Sequence, residues 1–124
     1  MILLRHAWAG QRDEWQGDDR LRPLDKRGRK QAKKLVDELA PITIDRILSS
    51  PYVRCVQTVE PLAKARGLEI EQREELGEEL QSTDGAELVR SLVGTHALVC
   101  GHGGLEQAIP GAPRLKKGAF FVVQ

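Results

Sequence analysis

The chain has 124 residues, 40% of them apolar, enough to close one hydrophobic core and too few for two comfortable domains. Lysine and arginine total 19 against 18 acidic residues, and a net charge of +1 excludes a broad electrostatic footprint for nucleic acid or anionic lipid, so any positive field has to be local. No apolar stretch approaches the length of a membrane span and Met1 leads straight into a strand-like run, which predicts a single domain over residues 1–124, without a leader, that stays in the cytoplasm.

Met1 to Leu4 is a short continuous apolar run of the kind buried on both faces of a parallel sheet. The charged stretch from Gly10 to Arg22 has no period and reads as a loop. Ala32, Leu35, Val36 and Leu39 then recur at helical spacing, with Asp25 as N-cap and Pro41 as stop. A second strand is expected over Ile44 to Ser49. After it, Ser50 and Pro51 supply an N-cap and a first-turn proline for a helix bearing Tyr52, Val56, Val59 and Ala63, which Pro61 should kink or split. Gly67 is a natural helix stop, and Leu68 to Gln72 reads as a third, weaker strand. Asp84 and Glu87 have capping-box spacing ahead of Leu88, Val89, Leu92 and Val93. Ala97 to Cys100 is a fourth strand, the turn Gly101 to Gly104 opens a brief helix ended by Pro110, and Gly118 to Val123 makes a last strand. Such alternation predicts an α/β fold: a three-layer α/β/α sandwich around a mostly parallel sheet, with the last strand antiparallel at an edge. Cys55 and Cys100 sit among apolar neighbours and read as reduced core thiols.

In an open α/β sheet, ligands bind beyond the carboxyl ends of the strands, so residues that directly follow strands are the first candidates. Arg5 and His6 follow the first strand, Arg54 lies in the first turn of the helix after the second, and His102 follows the fourth. Parallel strands would bring all four to one rim. Two guanidiniums, two imidazoles and the free amides of two helix N-termini make a donor set suited to a dianionic phosphate.

The spacing around these residues resembles the histidine phosphatase superfamily, also called the phosphoglycerate mutase-like family. The matching blocks are Leu3-Leu4-Arg5-His6-Ala7, Arg22-Pro23-Leu24-Asp25 with Gly28 and Gln31-Ala32, Ser49-Ser50-Pro51-Tyr52-Val53-Arg54 with Gln57-Thr58, and Val99-Cys100-Gly101-His102-Gly103. Short length and the Arg-Pro-Leu segment look most like the compact phosphohistidine phosphatase branch. The same blocks, with Lys117-Gly118 and the closing apolar strand, also resemble the phosphatase-like half that some proteins fuse to a Nudix domain. The resemblance implies a phosphoglycerate mutase-like fold and makes His6 the nucleophile, with Arg5, Arg54 and His102 holding the transferred phosphoryl group. The chemistry it implies needs neither a metal nor an organic cofactor. Leu76-Gly77-Glu78 resembles the block in which ester-cleaving members carry a proton donor, so Glu78 is the first candidate acid, with Glu75 and Glu79 behind it.

The expected activity is that of a phosphatase working through a phosphohistidine on His6, on phosphohistidine proteins in the first instance because no long insertion roofs the pocket. Phosphatase action on a small phosphorylated metabolite or nucleotide is the alternative. A non-catalytic phosphate- or partner-binding module is the second. Neither cysteine has the arginine spacing of cysteine-dependent phosphatases, and no Gly-Lys-Ser/Thr loop, Gly-x-Ser-x-Gly elbow or His-Glu-x-x-His helix is present. His96, without such context, reads as a surface residue, while Trp8, Trp15 and Tyr52 lie near the expected mouth. The sequence does not set the oligomeric state.

Overall fold

Five short strands carry the fold in the computed structural model, which describes residues 1–124. In chain order they are β1 (Ile2–Arg5), β2 (Arg46–Ser49), β3 (Ile70–Gln72), β4 (Ala97–Gly101) and β5 (Phe120–Val122), with the helices α1 (Lys26–Glu38), α2 (Val53–Arg66) and α3 (Ala86–Ser91) between them. The sheet order is β3-β2-β4-β1-β5. All pairs are parallel except β1 with β5, so the last strand is the antiparallel edge that the alternation of elements predicted. No helix is long and apolar enough to cross a membrane.

Strand periodicity sends neighbouring side chains to opposite faces, and two cores result. On one face Ile2, Leu4, Ile47 and Leu98 pack with Leu35 and Leu39 of α1 and with Cys55, Val59 and Leu62 of α2. On the other, Leu3, Leu48 and Val99 pack with Val89 of α3 and with Leu105 and Leu115. The three-layer arrangement follows. Both cysteines are buried free thiols.

Three local expectations are corrected. Pro61 does not split α2, which runs unbroken from Val53 to Arg66. Packing of Cys55, Val59, Leu62 and Ala63 against the sheet outweighs the roughly 3 kcal/mol that an internal proline costs. Ser50 is not the N-cap of α2: that position is Tyr52, and the Ser50 hydroxyl accepts from the Tyr52 amide at 3.3 Å while pairing with His102. Asp84 and Glu87 form no capping box, because Gln81–Gly85 is a wide helical turn that feeds directly into α3 and leaves Asp84 exposed. Two other signals held. Asp25 accepts from the Gly28 amide at 2.8 Å, and Gly67 closes α2 with φ of 65°.

Candidate active site

Three adjacent parallel strands, β2, β4 and β1, end at one level, with Arg5 beside Gly101 and Ser49 beside Cys100. The ladder continues one step further through His6 N–H to the Gly101 carbonyl and Ser50 N–H to the Cys100 carbonyl, both at 3.0 Å. His6, Ser50 and His102 therefore leave neighbouring strands at the same rim. The ring centroids of His6 and His102 are 5.6 Å apart.

His6 is buried, and its Nδ1 lies 2.7 Å from the Ala7 carbonyl. A carbonyl only accepts, so Nδ1 carries the proton and the lone pair is left on Nε2. Burial is the largest influence on this ring. It outweighs the Ala7 hydrogen bond, and with His102, Arg54 and Arg5 nearby it pushes the imidazole down from 6.5 to about 3. His6 is neutral throughout the physiological range.

Arg54, on the first turn of α2, is fully buried. It donates to the Asp19 carbonyl at 2.8 Å, to the Asp19 carboxylate at 3.0 Å and to Glu78 at 2.8 Å. Arg5 donates to the Leu115 carbonyl at 3.0 Å, and its guanidinium lies against Gly103, where a Cβ would come within 3.1 Å of it. A side chain at 103 would crowd the Arg5 fork. His102 Nε2 pairs with the Ser50 hydroxyl at 2.9 Å, while its Nδ1 faces Glu78 at 3.5 Å. Among the buried side-chain nitrogens, three have no hydrogen-bond partner: Arg5 Nε, Arg54 Nε and His102 Nδ1. Native interiors rarely leave such groups unpaired.

The structure thus brings together Arg5, His6, Arg54, His102 and Glu78. Glu75 pairs with Arg73 at 2.9 Å, Glu79 is exposed, and neither is in these contacts. Tyr52 packs edge-on against His102 with centroids 4.6 Å apart, whereas His96 is an exposed loop residue. The expected pair of helix N-termini is reduced to one. Only α2 qualifies, since Leu105–Ala108 is a four-residue 3-10 turn after Gly104. No group of three or more His, Cys, Asp or Glu side chains is placed to hold a metal ion.

Several residues that position the site were missed in the sequence. Gln81 is buried and clamps the His102 turn, accepting from the His102 amide at 2.6 Å and donating to the His102 and Gly103 carbonyls at 3.3 and 3.2 Å. Thr58 accepts from the Ala7 amide at 3.0 Å and donates to the Arg54 carbonyl at 2.7 Å, tying β1 to α2. The loop before α1 also reaches across the mouth: Arg12 grips both Glu78 oxygens at 2.8 Å, and Asp19 meets Arg22 and Arg54. Thr58 stood in a matched block and could have been flagged. Gln81 and Arg12 carried no spacing signal, because their partners lie 21 and 66 residues away.

Residues 1–87 match the histidine phosphatase superfamily (branch 1). The chain is also 43% identical over 84 residues to the 8-oxo-(d)GTP phosphatase of Mycolicibacterium smegmatis, a match covering 68% of this chain and 26% of that protein. It therefore spans about a quarter of the length of that relative. Among solved structures, the protein histidine phosphatase SixA complexed with tungstate is similar at 25% identity and a TM-score of 0.69, over 94% of this chain and 80% of that one. A mycobacterial glucosyl-3-phosphoglycerate phosphatase in complex with VO3 shares the fold at 16% identity and a TM-score of 0.75, over 97% and 88% of the two chains. With the family's sequence pattern over most of its length and the family's fold around a rim of two histidines and two arginines, this chain belongs to the histidine phosphatase superfamily.

Proposed function

We propose that the protein is a phosphatase in which His6 accepts the phosphoryl group, with a small phosphorylated metabolite or nucleotide as substrate. The observation that carries this reading is the convergence of the unpartnered Arg5 Nε, Arg54 Nε and His102 Nδ1 around a neutral His6 with a bare Nε2. Nε2 attacks phosphorus in line, and the leaving oxygen departs with its electron pair. The guanidiniums stabilise charge on the equatorial oxygens, and water then releases phosphate from His6. A phosphate seated on Arg54 competes with Glu78 for the same guanidinium. Glu78 would thereby be released beside His102, where it can supply a proton to an ester oxygen.

The 43%-identical relative, a nucleotide phosphatase by name, supports a small-molecule substrate. So does the depth of the site: His6, Arg54 and His102 are all buried, and the 10–22 loop walls the rim through Arg12 and Asp19. Likeness to SixA keeps the phosphohistidine-protein reading as the second.

The test is turnover of an aryl phosphate, an alkyl phosphate and a phosphohistidine peptide, in chelator, by the native protein, His6→Ala and Glu78→Gln. His6→Ala should lose at least about a thousandfold in kcat, and the native protein should trap an acid-labile phosphoenzyme. Glu78→Gln should slow the alkyl ester about a hundredfold and the aryl ester much less, because only the alkoxide needs the proton. Equal turnover by His6→Ala and the native protein would refute the nucleophile.

A further inference from the structure

Beyond Arg5 the wall of the site is a short cationic run, Arg114-Leu115-Lys116-Lys117. This segment is pinned to the end of β1. The Leu115 carbonyl accepts from Arg5 at 3.0 Å, the Lys117 carbonyl from Gln31 at 3.1 Å, and the Gly118 amide donates to the Arg5 and His6 carbonyls at 3.1 and 3.0 Å. Trp8 holds the Lys117 ammonium 4.3 Å from its ring centroid. The backbone of the run and the Lys117 ammonium are therefore placed by the fold, with Arg114 and Lys116 exposed beside them.

Two cavities, of about 640 and 470 Å³, flank this segment and share Arg5, Arg114 and Leu115 in their walls. Neither Arg5 nor any cation of the run forms an ion pair, although eight arginine–carboxylate pairs occur elsewhere in the chain. The only carboxylate in either wall is Glu106, which is buried and accepts from the Leu115 amide at 2.9 Å. Burial, followed by the Arg5 and Arg22 guanidiniums, holds Lys117 below the usual lysine range against the opposing pull of Asp25, with Arg12 adding to the downward push. Like charges held near one another without an ion-pair partner are costly to a fold and favourable to a bound polyanion.

We propose that Arg114, Lys116 and Lys117, together with Arg5, form a subsite for a second phosphate of the same substrate, so that the preferred substrate is a nucleoside di- or triphosphate or another small compound with a further phosphate. This deepens, and rests on, the assignment of His6 as phosphoryl acceptor. His6 takes the terminal phosphoryl group, the bond from that phosphorus to the bridging oxygen breaks, and the shortened nucleotide leaves with the electron pair on that oxygen. Water attacks the phosphohistidine and frees inorganic phosphate. A departing phosphate is a weak base and needs no proton donor. Turnover of such a substrate therefore depends less on Glu78 than turnover of an alkyl ester does.

The experiment measures the affinities of inorganic phosphate and pyrophosphate by calorimetry, and kcat/KM for a nucleoside triphosphate and an aryl phosphate. The full chain, the double variant Arg114→Ala/Lys117→Ala and the charge-retaining Lys117→Arg are compared. The native protein should bind pyrophosphate at least about tenfold tighter than phosphate, and the double variant should reduce both the pyrophosphate-to-phosphate affinity ratio and the triphosphate-to-aryl-phosphate kcat/KM ratio about tenfold or more. Lys117→Arg should keep most of the preference, which separates charge from misfolding. No native preference for pyrophosphate, or an equal loss for both ligands in the double variant, would overturn the subsite. A phosphohistidine peptide turned over better than the triphosphate, and indifferent to the double variant, would overturn it in favour of a protein substrate. Failure of the nucleophile assignment is separately visible, because His6→Ala would then retain turnover while the pyrophosphate preference persisted.

Discussion

For the single residue, burial leaves His6 with an uncharged ring, the state that the proposed role as phosphoryl acceptor requires. Desolvation, reinforced by His102 and two guanidiniums, outweighs the Ala7 hydrogen bond and keeps the ring neutral down to about pH 3, and the same Ala7 carbonyl selects the tautomer. The unfolded chain, with a histidine near 6.5, binds more protons between those two values, so stability rises with pH across that window. The contribution of His6 is complete above about pH 6.5 and is lost as the pH falls toward 3. Urea unfolding of the native protein and His6→Asn from pH 7 to 3 checks this: the native protein should lose up to about 4 kcal/mol more than the variant over the range. Parallel pH profiles would show that the ring takes up protons freely in the folded state.

Among the elements, the turn after β4 is the one whose shape depends on a distant side chain. Gln81 meets the amide and carbonyl of His102 from a different segment, and the His102 amide, buried at the base of the turn, has this acceptor alone to replace water. Gln81→Leu should cost about 1–3 kcal/mol in urea unfolding, because a buried amide is left unpaired, and should lower kcat on an aryl phosphate by freeing His102. Unchanged kcat alongside the stability loss would confine Gln81 to a structural role. Gly28 gives a similar lesson on α1. A Cβ there would run into the Trp8 carbonyl, which explains a glycine inside a helix where it is intrinsically unfavourable.

For the whole molecule, the sheet is the shared wall of two cores, and adjacent residues of β2 serve different ones. Ile47 faces α1 and α2, while Leu48 faces α3 and the closing turns. Both are fully buried. Ile47→Ala and Leu48→Ala should each cost about 2–5 kcal/mol and lower one common unfolding transition, because each side of the sheet loses its support when the other melts. Coincident urea transitions by tryptophan fluorescence and far-UV circular dichroism check it. Separated transitions would mean that the layers fold independently.

Legible along the chain were the alternation of strands and helices, the antiparallel edge, the N-cap at Asp25, the stop at Gly67 and the residues at the ends of strands one, two and four. These rest on local physics: apolar period, capping chemistry and the rule that parallel strands end together. Glu78 could be named as a candidate from its block, but its contacts with Arg54 and His102 depend on where the chain returns. Tertiary contacts settle that the Ser50 hydroxyl pairs with His102 as well as with the Tyr52 amide, that Pro61 stays inside α2, that Gln81 and Arg12 reach the rim, and that Arg114, Lys116 and Lys117 form no ion pair. Each of those outcomes is set by partners dozens of residues away or by core packing stronger than a local preference, and neither leaves a period or a spacing along the chain.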